Sequence, residues 1–441
     1  MAHGQAGNPS CDPVVRTRTA LLWTIDLADR KWRELLLCLL HRTSLRRRHR
    51  GHRHGLVRLE SSPGGHAIMT PALAANIALP PVAIDATIER AIRDRAWFVF
   101  SLSGGKDSGA TAATVSALLD SIGHPRSRRL AIHADLGRAE WRTTPSTVEA
   151  VSRHLGLPLI VVRRRAGDMV DRWEQRFRDG CRRYADLLTY NLIGPWSSSA
   201  LRFCSSELKA NVIGPELARR LRGETVVQVI GIRRDESSAR QLTPVSKLDI
   251  RFAPSGNAAG TRMMLWHPLI DWTAQDVFAA HEQYHVPLHE AYARGSTRLS
   301  CAFCVLASLP DLTIAANVQD NLSLYHHLVG LEAHSTFSFQ PARWLADVAP
   351  DHLPETLKRD IDQARCDAGR RRSLEASLPK GLRFVKGWPP RLPTWDEAVR
   401  IAEVRAELLY RHALQHRYPT ATMIRDRFAA LIEERDLKRA A

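Results

Sequence analysis

The 441-residue sequence predicts a doubly wound α/β protein, a mainly parallel sheet with a helical region toward its C-terminal end. Three observations carry this. Short apolar runs of strand type alternate with helical periodicity from about residue 91 to residue 233, as successive right-handed strand–helix–strand crossovers require. The first run breaks off into a glycine-rich turn, "SGGKDS" at residues 103–108. Beyond about Pro310 the periodicity is helical, with few strand candidates.

In chain order, residues 1–68 stand apart. "HRTSLRRRHRGHRHGLVR" (41–58) is basic, histidine-rich and of low complexity, and the first 68 residues hold twelve Lys or Arg against five Asp or Glu. The segment is expected to be disordered, either a nucleic-acid-binding arm or sequence upstream of a start at Met69. Residues 69–310 are expected to form the α/β domain and 311–441 the helical region.

Within the domain, "WFVFSLS" (97–103) suits a buried parallel strand. Val115, Leu118, Leu119 and Ile122 then fall at helical spacing, and Gly123 with Pro125 stops the helix. "LAIHAD" (130–135) is a second strand. Thr144 and Pro145 open a helix carrying Val148, Val151 and Leu155, which Gly156 closes. "LPLIVVRR" (157–164) and "TVVQVIGIR" (225–233) are further strands, separated by a mostly helical stretch at 205–223. Near the C-terminus, residues 394–415 and 420–439 are amphipathic helices behind a Pro-rich loop at 386–395. Ligands in such sheets bind at the carboxyl ends of the strands.

A hydrophobic content of 44% and a charged content of 25% are ordinary for a soluble globular protein, but the net charge of +17 is not. It favours polyanions such as nucleic acid, or phosphorylated small molecules; the plain alternative is a generally basic surface. The apolar run at 35–40, "LLLCLL", is far too short to span a bilayer. A cytoplasmic location without membrane contact is expected. Seven cysteines spread over this length are no disulfide framework, so reduced thiols or a metal site are expected.

The turn at 103–108 has its own chemistry. Gly104 and Gly105 let backbone approach a ligand closely. The helix behind them offers unpaired amides and the positive end of its dipole. Ser103, Lys106 and Ser108 add donors, so a phosphate or sulfate is the natural occupant. A Walker A loop is excluded, because Asp107 stands where Ser or Thr would meet magnesium.

This hexapeptide resembles the pyrophosphate loop of the PP-loop ATP pyrophosphatases and the phosphoadenosine phosphosulfate reductases, whose shared fold is an adenine-nucleotide alpha hydrolase-like, Rossmann-like sheet. "HADLGRAEW" (133–141), "GIRRDESSAR" (231–240) and "HPLIDWTAQDVFAAHEQYHVPLHEAY" (267–292) resemble further segments of the reductase branch. The likeness runs from about Ala91 to Ser308. It implies nucleotide binding by Ser103, Gly104, Gly105, Lys106, Asp107, Ser108, Asp135, Gly231, Arg233, Arg234 and Arg240. Arg233, Arg234 and Arg240 supply planar forks suited to phosphate oxygens, unless they form only a solvated charge cluster.

Cys301 and Cys304 form a C-x-x-C, and Cys204 lies in "RFCSSELK". Thiolates so spaced suit zinc or an iron–sulfur cluster. Iron–sulfur members of the family carry a Cys-Cys pair upstream, but Phe203 occupies one of those positions here. A 4Fe-4S cluster would then take Cys181 as fourth ligand or leave one iron open, and zinc or plain thiols are the alternatives. Reductases proper also carry a nucleophilic cysteine in a C-terminal tail, and no cysteine follows Cys366 here.

The resemblance therefore implies cleavage of ATP to AMP and pyrophosphate, with Lys106, Asp107, Arg233 and Mg2+ at the reacting phosphates. The adenylated acceptor would then receive sulfur from a cysteine desulfurase or other donor. Two acceptor classes fit, a small sulfur metabolite or, favoured by the basic charge, DNA or tRNA, as in the similar ATP pyrophosphatase component of DNA phosphorothioation systems or in tRNA thiolation. Sulfonucleotide reduction and non-catalytic nucleotide binding are the alternatives.

Overall fold

The computed structural model describes residues 78–440. The expectations for residues 1–68 lie outside them. Among the described residues six strands form one sheet: β1 Trp97–Ser101, β2 Arg129–Asp135, β3 Leu159–Arg163, β4 Thr225–Val229, β5 Ser246–Leu248 and β6 Arg262–Trp266. Their order is β3-β2-β1-β4-β6-β5. All neighbours are parallel except β5, which pairs antiparallel with β6 at the edge. The chain winds outward from β1 through β2 to β3, then returns to place β4 on the other side of β1. The crevice of such a sheet opens where the order reverses, beyond the carboxyl ends of β1 and β4.

The four inner strands β1, β2, β4 and β6 form because their apolar side chains are buried on both faces. On one face Val99, Leu130, Ile132 and Val226 pack with Ile213 and Leu217 of the helix Asn211–Arg220. On the other, Phe98 meets the edges of His124 and Trp266. Each such fully buried side chain contributes about 1.5–3 kcal/mol of transfer free energy.

Four of the six strands match sequence expectation; β5 and β6 were not foreseen. "RMMLW" carries two methionines and no β-branched residue, so its strand character comes from its place beside β4. Helix α1, Ala86–Arg93, is capped by Asp85. Helix α2, Lys106–Ser121, follows the glycine turn, and α3, Thr144–His154, opens at Pro145. Helix α4, Met169–Ala185, also unforeseen, starts from a reciprocal cap between Asp168 and Asp171. Helix α5 is Asn211–Arg220, α6 is Ala274–Gln283, and α7 is the single turn Glu290–Ala293.

The remainder is helical: α8 Leu309–Ala316, α9 Leu322–Ser335, α10 Glu355–Ala376, α11 Trp395–Arg411 and α12 Ala421–Ala440. One apolar cluster joins Trp141, Trp173 and Phe203 to Phe303, Leu312, Tyr325 and Leu345, running across residue 310. A second holds Phe177, Cys181 and Tyr184 against Ile401, Leu408, Ile424 and Phe428 of the last helices. No helix among the described residues is long and apolar enough to cross a membrane.

Candidate functional site

The turn after β1 closes on itself. Gly104 takes φ +75°, and Gly105 stands as the N-cap of α2 without a side-chain bond. The Ser103 amide donates to Ser108 Oγ at 3.1 Å, and Ser108 Oγ donates to the Gly105 carbonyl at 2.9 Å. The two serine hydroxyls are 3.1 Å apart. The first-turn amides of α2 thus sit in a rigid, glycine-lined ring at the mouth of the sheet.

A cavity of about 440 Å³ opens there, lined by Ser103, Gly105, Asp107 and Ser108 from the turn, and by Gln228 and Gly231 from the end of β4. Gln228, polar within a buried strand, donates to Ser101 Oγ at 2.9 Å and keeps the floor hydrogen-bonded. Arg202, Arg240 and Arg298 reach the same space. Burial, then the charges of Arg202 and Arg298, lower the pKa of Arg240. Arg240 is paired with Glu236, whereas Arg202 and Arg298 have no carboxylate partner among the described residues. An anion entering the cavity relieves this crowding of like charge.

Lys106 is placed elsewhere than a phosphate donor would be. Its side chain is 5% exposed and absent from the cavity lining. Nζ bonds Asp107 Oδ2 at 3.2 Å and the Thr297 carbonyl at 3.3 Å, with the Phe278 and Tyr292 rings beside it. Asp107 Oδ1 accepts from Arg233 Nε at 2.7 Å, and Arg233 Nη1 donates to Asp235 at 2.6 Å. Lys106, Asp107 and Arg233 therefore form a buried ion-pair row that braces the turn. Arg234 turns away to Asp271 and the Thr243 carbonyl. Of the three arginines expected around the phosphates, Arg240 alone lines the cavity among the described residues.

Asp135 pairs with Arg163 and accepts from the Gly137 amide at 2.6 Å. Burial opposes its charge, but these partners hold its pKa below the ordinary carboxylate value. It lines a separate cavity of about 840 Å³ together with Arg138, Arg142 and Trp141.

Residues that sequence reasoning missed complete the first cavity. His133, buried, and Glu140, partly buried, both line it. His133 Nδ1 donates to the Leu102 carbonyl at 2.9 Å, and Nε2 stands 3.4 Å from Glu140 Oε2, an ion pair whose angles fall short of a hydrogen bond. Burial acts against the imidazolium, yet Glu140 outweighs it and raises the pKa above the usual value. Stability from this pair is present below about pH 6.5 and lost as pH rises through the folded value. The fall in melting temperature between pH 6 and pH 9 should accordingly be smaller in Glu140→Gln than in the parent chain. Both residues lie in the "HADLGRAEW" segment, and Arg202 and Arg298 lie just ahead of Cys204 and Cys301. Those were the available signals.

Cys204, Cys301 and Cys304 all line the cavity. Burial pushes the Cys301 thiol up, with Cys304 adding to the shift. Cys181 does not join them. It lies on the α4 face that packs into the C-terminal helical core, which corrects its assignment as a fourth cluster ligand. Among the described residues no group of three or more His, Cys, Asp or Glu converges as a metal site. As placed, these thiols do not fit a 4Fe-4S cluster or zinc. The carboxylates near the turn are likewise engaged, Asp107 and Asp235 by Arg233, Glu236 by the Arg233 amide and Arg240.

Comparison with known proteins bears on this arrangement. The family model described as phosphoadenosine phosphosulfate reductase domain matches residues 98–307. An uncharacterized 37.8 kDa protein in the gpa 5' region of Escherichia phage 186 is 28% identical over 124 residues, which are 27% of this chain and 34% of that protein. The chain thus spans about a third of the length of that curated relative. A crystal structure of phosphoadenylyl-sulfate reductase from Candida auris, in complex with phosphate, aligns at 14% identity and a TM-score of 0.31, covering 48% of this chain and 85% of the other.

Proposed function

We propose, from the match of residues 98–307 to the phosphoadenosine phosphosulfate reductase domain family, that the chain binds ATP at the turn after β1 and cleaves it to AMP and pyrophosphate, activating nucleic acid for sulfur transfer. The observation that supports this best is a single cavity lined by the turn's donors, by Arg202, Arg240 and Arg298, and by three thiols. The turn suits a departing pyrophosphate, because its amides and the serine hydroxyls are held in place before charge develops. The arginines suit a second anionic reactant, a nucleic-acid phosphate backbone in keeping with the net charge of +17. Lys106, Asp107 and Arg233 act by bracing the turn. Magnesium would enter on the nucleotide's own phosphates.

The test is pyrophosphate release from ATP by the purified chain, with and without DNA or tRNA. Release that rises with nucleic acid is expected, and Arg240→Ala should lower kcat/KM by about 100-fold. Binding without release would instead favour a non-catalytic nucleotide-binding role. One observation favours a second reading: Cys301 and Cys304 share the nucleotide cavity, so this dithiol could itself reduce a sulfonucleotide. Release of sulfite and the nucleoside phosphate from a sulfonucleotide, with oxidation of the two thiols to a Cys301–Cys304 disulfide, would establish it.

A further inference from the structure

Tyr292 bridges the turn after β1 and the segment that carries Cys301. Its hydroxyl accepts from the Lys106 amide at 2.9 Å and from the Leu299 amide at 3.2 Å. One of these amides belongs to the first turn of α2, where an anion would bind; the other lies two residues ahead of Cys301. Burial pushes the phenol's pKa up to about 12, so the group keeps its proton at neutral pH. A phenol accepting two N–H bonds still has its own O–H to give, and Tyr292 lines the cavity.

The cysteine-bearing segment is closed into a loop at its base. Asp311 ties its two ends, accepting from the Thr297 amide at 2.9 Å and from Ser308 Oγ at 2.7 Å. Between those ends lie Cys301 and Cys304. The turn after β1 touches this segment through Lys106 Nζ on the Thr297 carbonyl, and through the Leu299 side chain, which would lie 3.4 Å and 3.6 Å from a Cβ placed on Gly104 and Gly105.

We propose that Tyr292 is a positioning residue that couples anion occupancy of the turn at residues 103–108 to the exposure of the thiols of Cys301 and Cys304. An anionic oxygen arriving at the turn competes for the Lys106 amide and accepts the phenolic O–H. The hydroxyl's hold on Leu299 changes with it, and the segment carrying the thiols shifts. The coupling rests on the nucleotide reading above.

The experiment is maleimide alkylation of the full chain, resolved by peptide mass spectrometry, with and without ATP or pyrophosphate. Ligand binding is followed in the same samples by calorimetry. Exposed Cys366 is the internal reference. In the parent chain, ligand should change the alkylation rates of Cys301 and Cys304 at least fivefold while Cys366 is unaffected. In Tyr292→Phe, which retains the ring and loses the hydroxyl, the change should fall below twofold although ligand still binds. Binding with unchanged thiol rates in the parent chain, or an equal response in Tyr292→Phe, overturns the coupling alone. Absence of ATP and pyrophosphate binding to the parent chain overturns the nucleotide reading and the coupling with it.

Discussion

Gly231→Ala is expected to lower nucleotide affinity at least tenfold in a chain that still folds. Gly231 follows β4 and faces the first turn of α2 across the switch point of the sheet. A Cβ there would lie 2.4 Å from the Asp107 carbonyl oxygen, 2.6 Å from its carbon and 2.8 Å from Thr111 Oγ1. Two of these are backbone atoms, so no side-chain rotation relieves the clash. Overpacking of this kind costs about 1–3 kcal/mol, which a domain of this size tolerates. The strain falls on α2 at Asp107, the residue that Arg233 holds from the β4 side. Pushing that turn outward moves the Ser108 hydroxyl and the first-turn amides together, so donors that must converge on one phosphate no longer do. Calorimetric titration with ATP, alongside circular dichroism and a melting curve, measures both effects. Unchanged affinity in a folded Gly231→Ala chain would show that the turn at residues 103–108 is not the anion site.

How much of this was legible in the sequence differs from element to element. The first four strands and the glycine turn could be read because each is a local pattern: an apolar run, then residues that only a sharp turn requires. β6 could not, since "RMMLW" is a strand by virtue of its neighbour β4. The Cys181 error follows from missing α4. Once Met169–Ala185 is a helix, Phe177, Cys181 and Tyr184 fall on one apolar stripe, and the cysteine is core packing. Lys106 illustrates a deeper limit. Its residue type suits a phosphate, but its direction is set by Phe278, Tyr292 and Thr297, which lie more than 170 positions away in the chain. The serine hydroxyls stand at the turn, where the sequence placed them, because the partners that hold them are within five residues. Local chemistry was visible; the aim of long side chains was not.

Glu332→Ala is expected to destabilise the chain by about 3–5 kcal/mol, the largest stability effect among these substitutions. Glu332 lies in α9 and is fully buried. Its Oε1 accepts from the Phe339 and Leu345 amides, both at 2.7 Å, and Oε2 from the Ala346 amide at 3.2 Å. One carboxyl group thereby satisfies three backbone donors of the segment that closes over the apolar cluster containing Phe339, Leu345 and Ala346. Removing it leaves these amides buried without acceptors, at about 1–3 kcal/mol each before relaxation. Glu332→Gln should recover part of the loss, because its carbonyl accepts from two amides while its NH2 faces a third donor. The pH dependence separates this cause from simple loss of packing. Burial pushes the Glu332 carboxyl up to about 7, above its unfolded value near 4.3. Between those values the folded chain holds a proton that the unfolded chain has released. The contribution is thus fully present below the unfolded value and lost as pH rises through about 7. Urea unfolding at pH 5 and pH 8 should show the parent chain losing more stability over that interval than Glu332→Gln. An equal loss in both would mean that Glu332 is ionised throughout, leaving hydrogen bonding to a full carboxylate as the whole of its contribution.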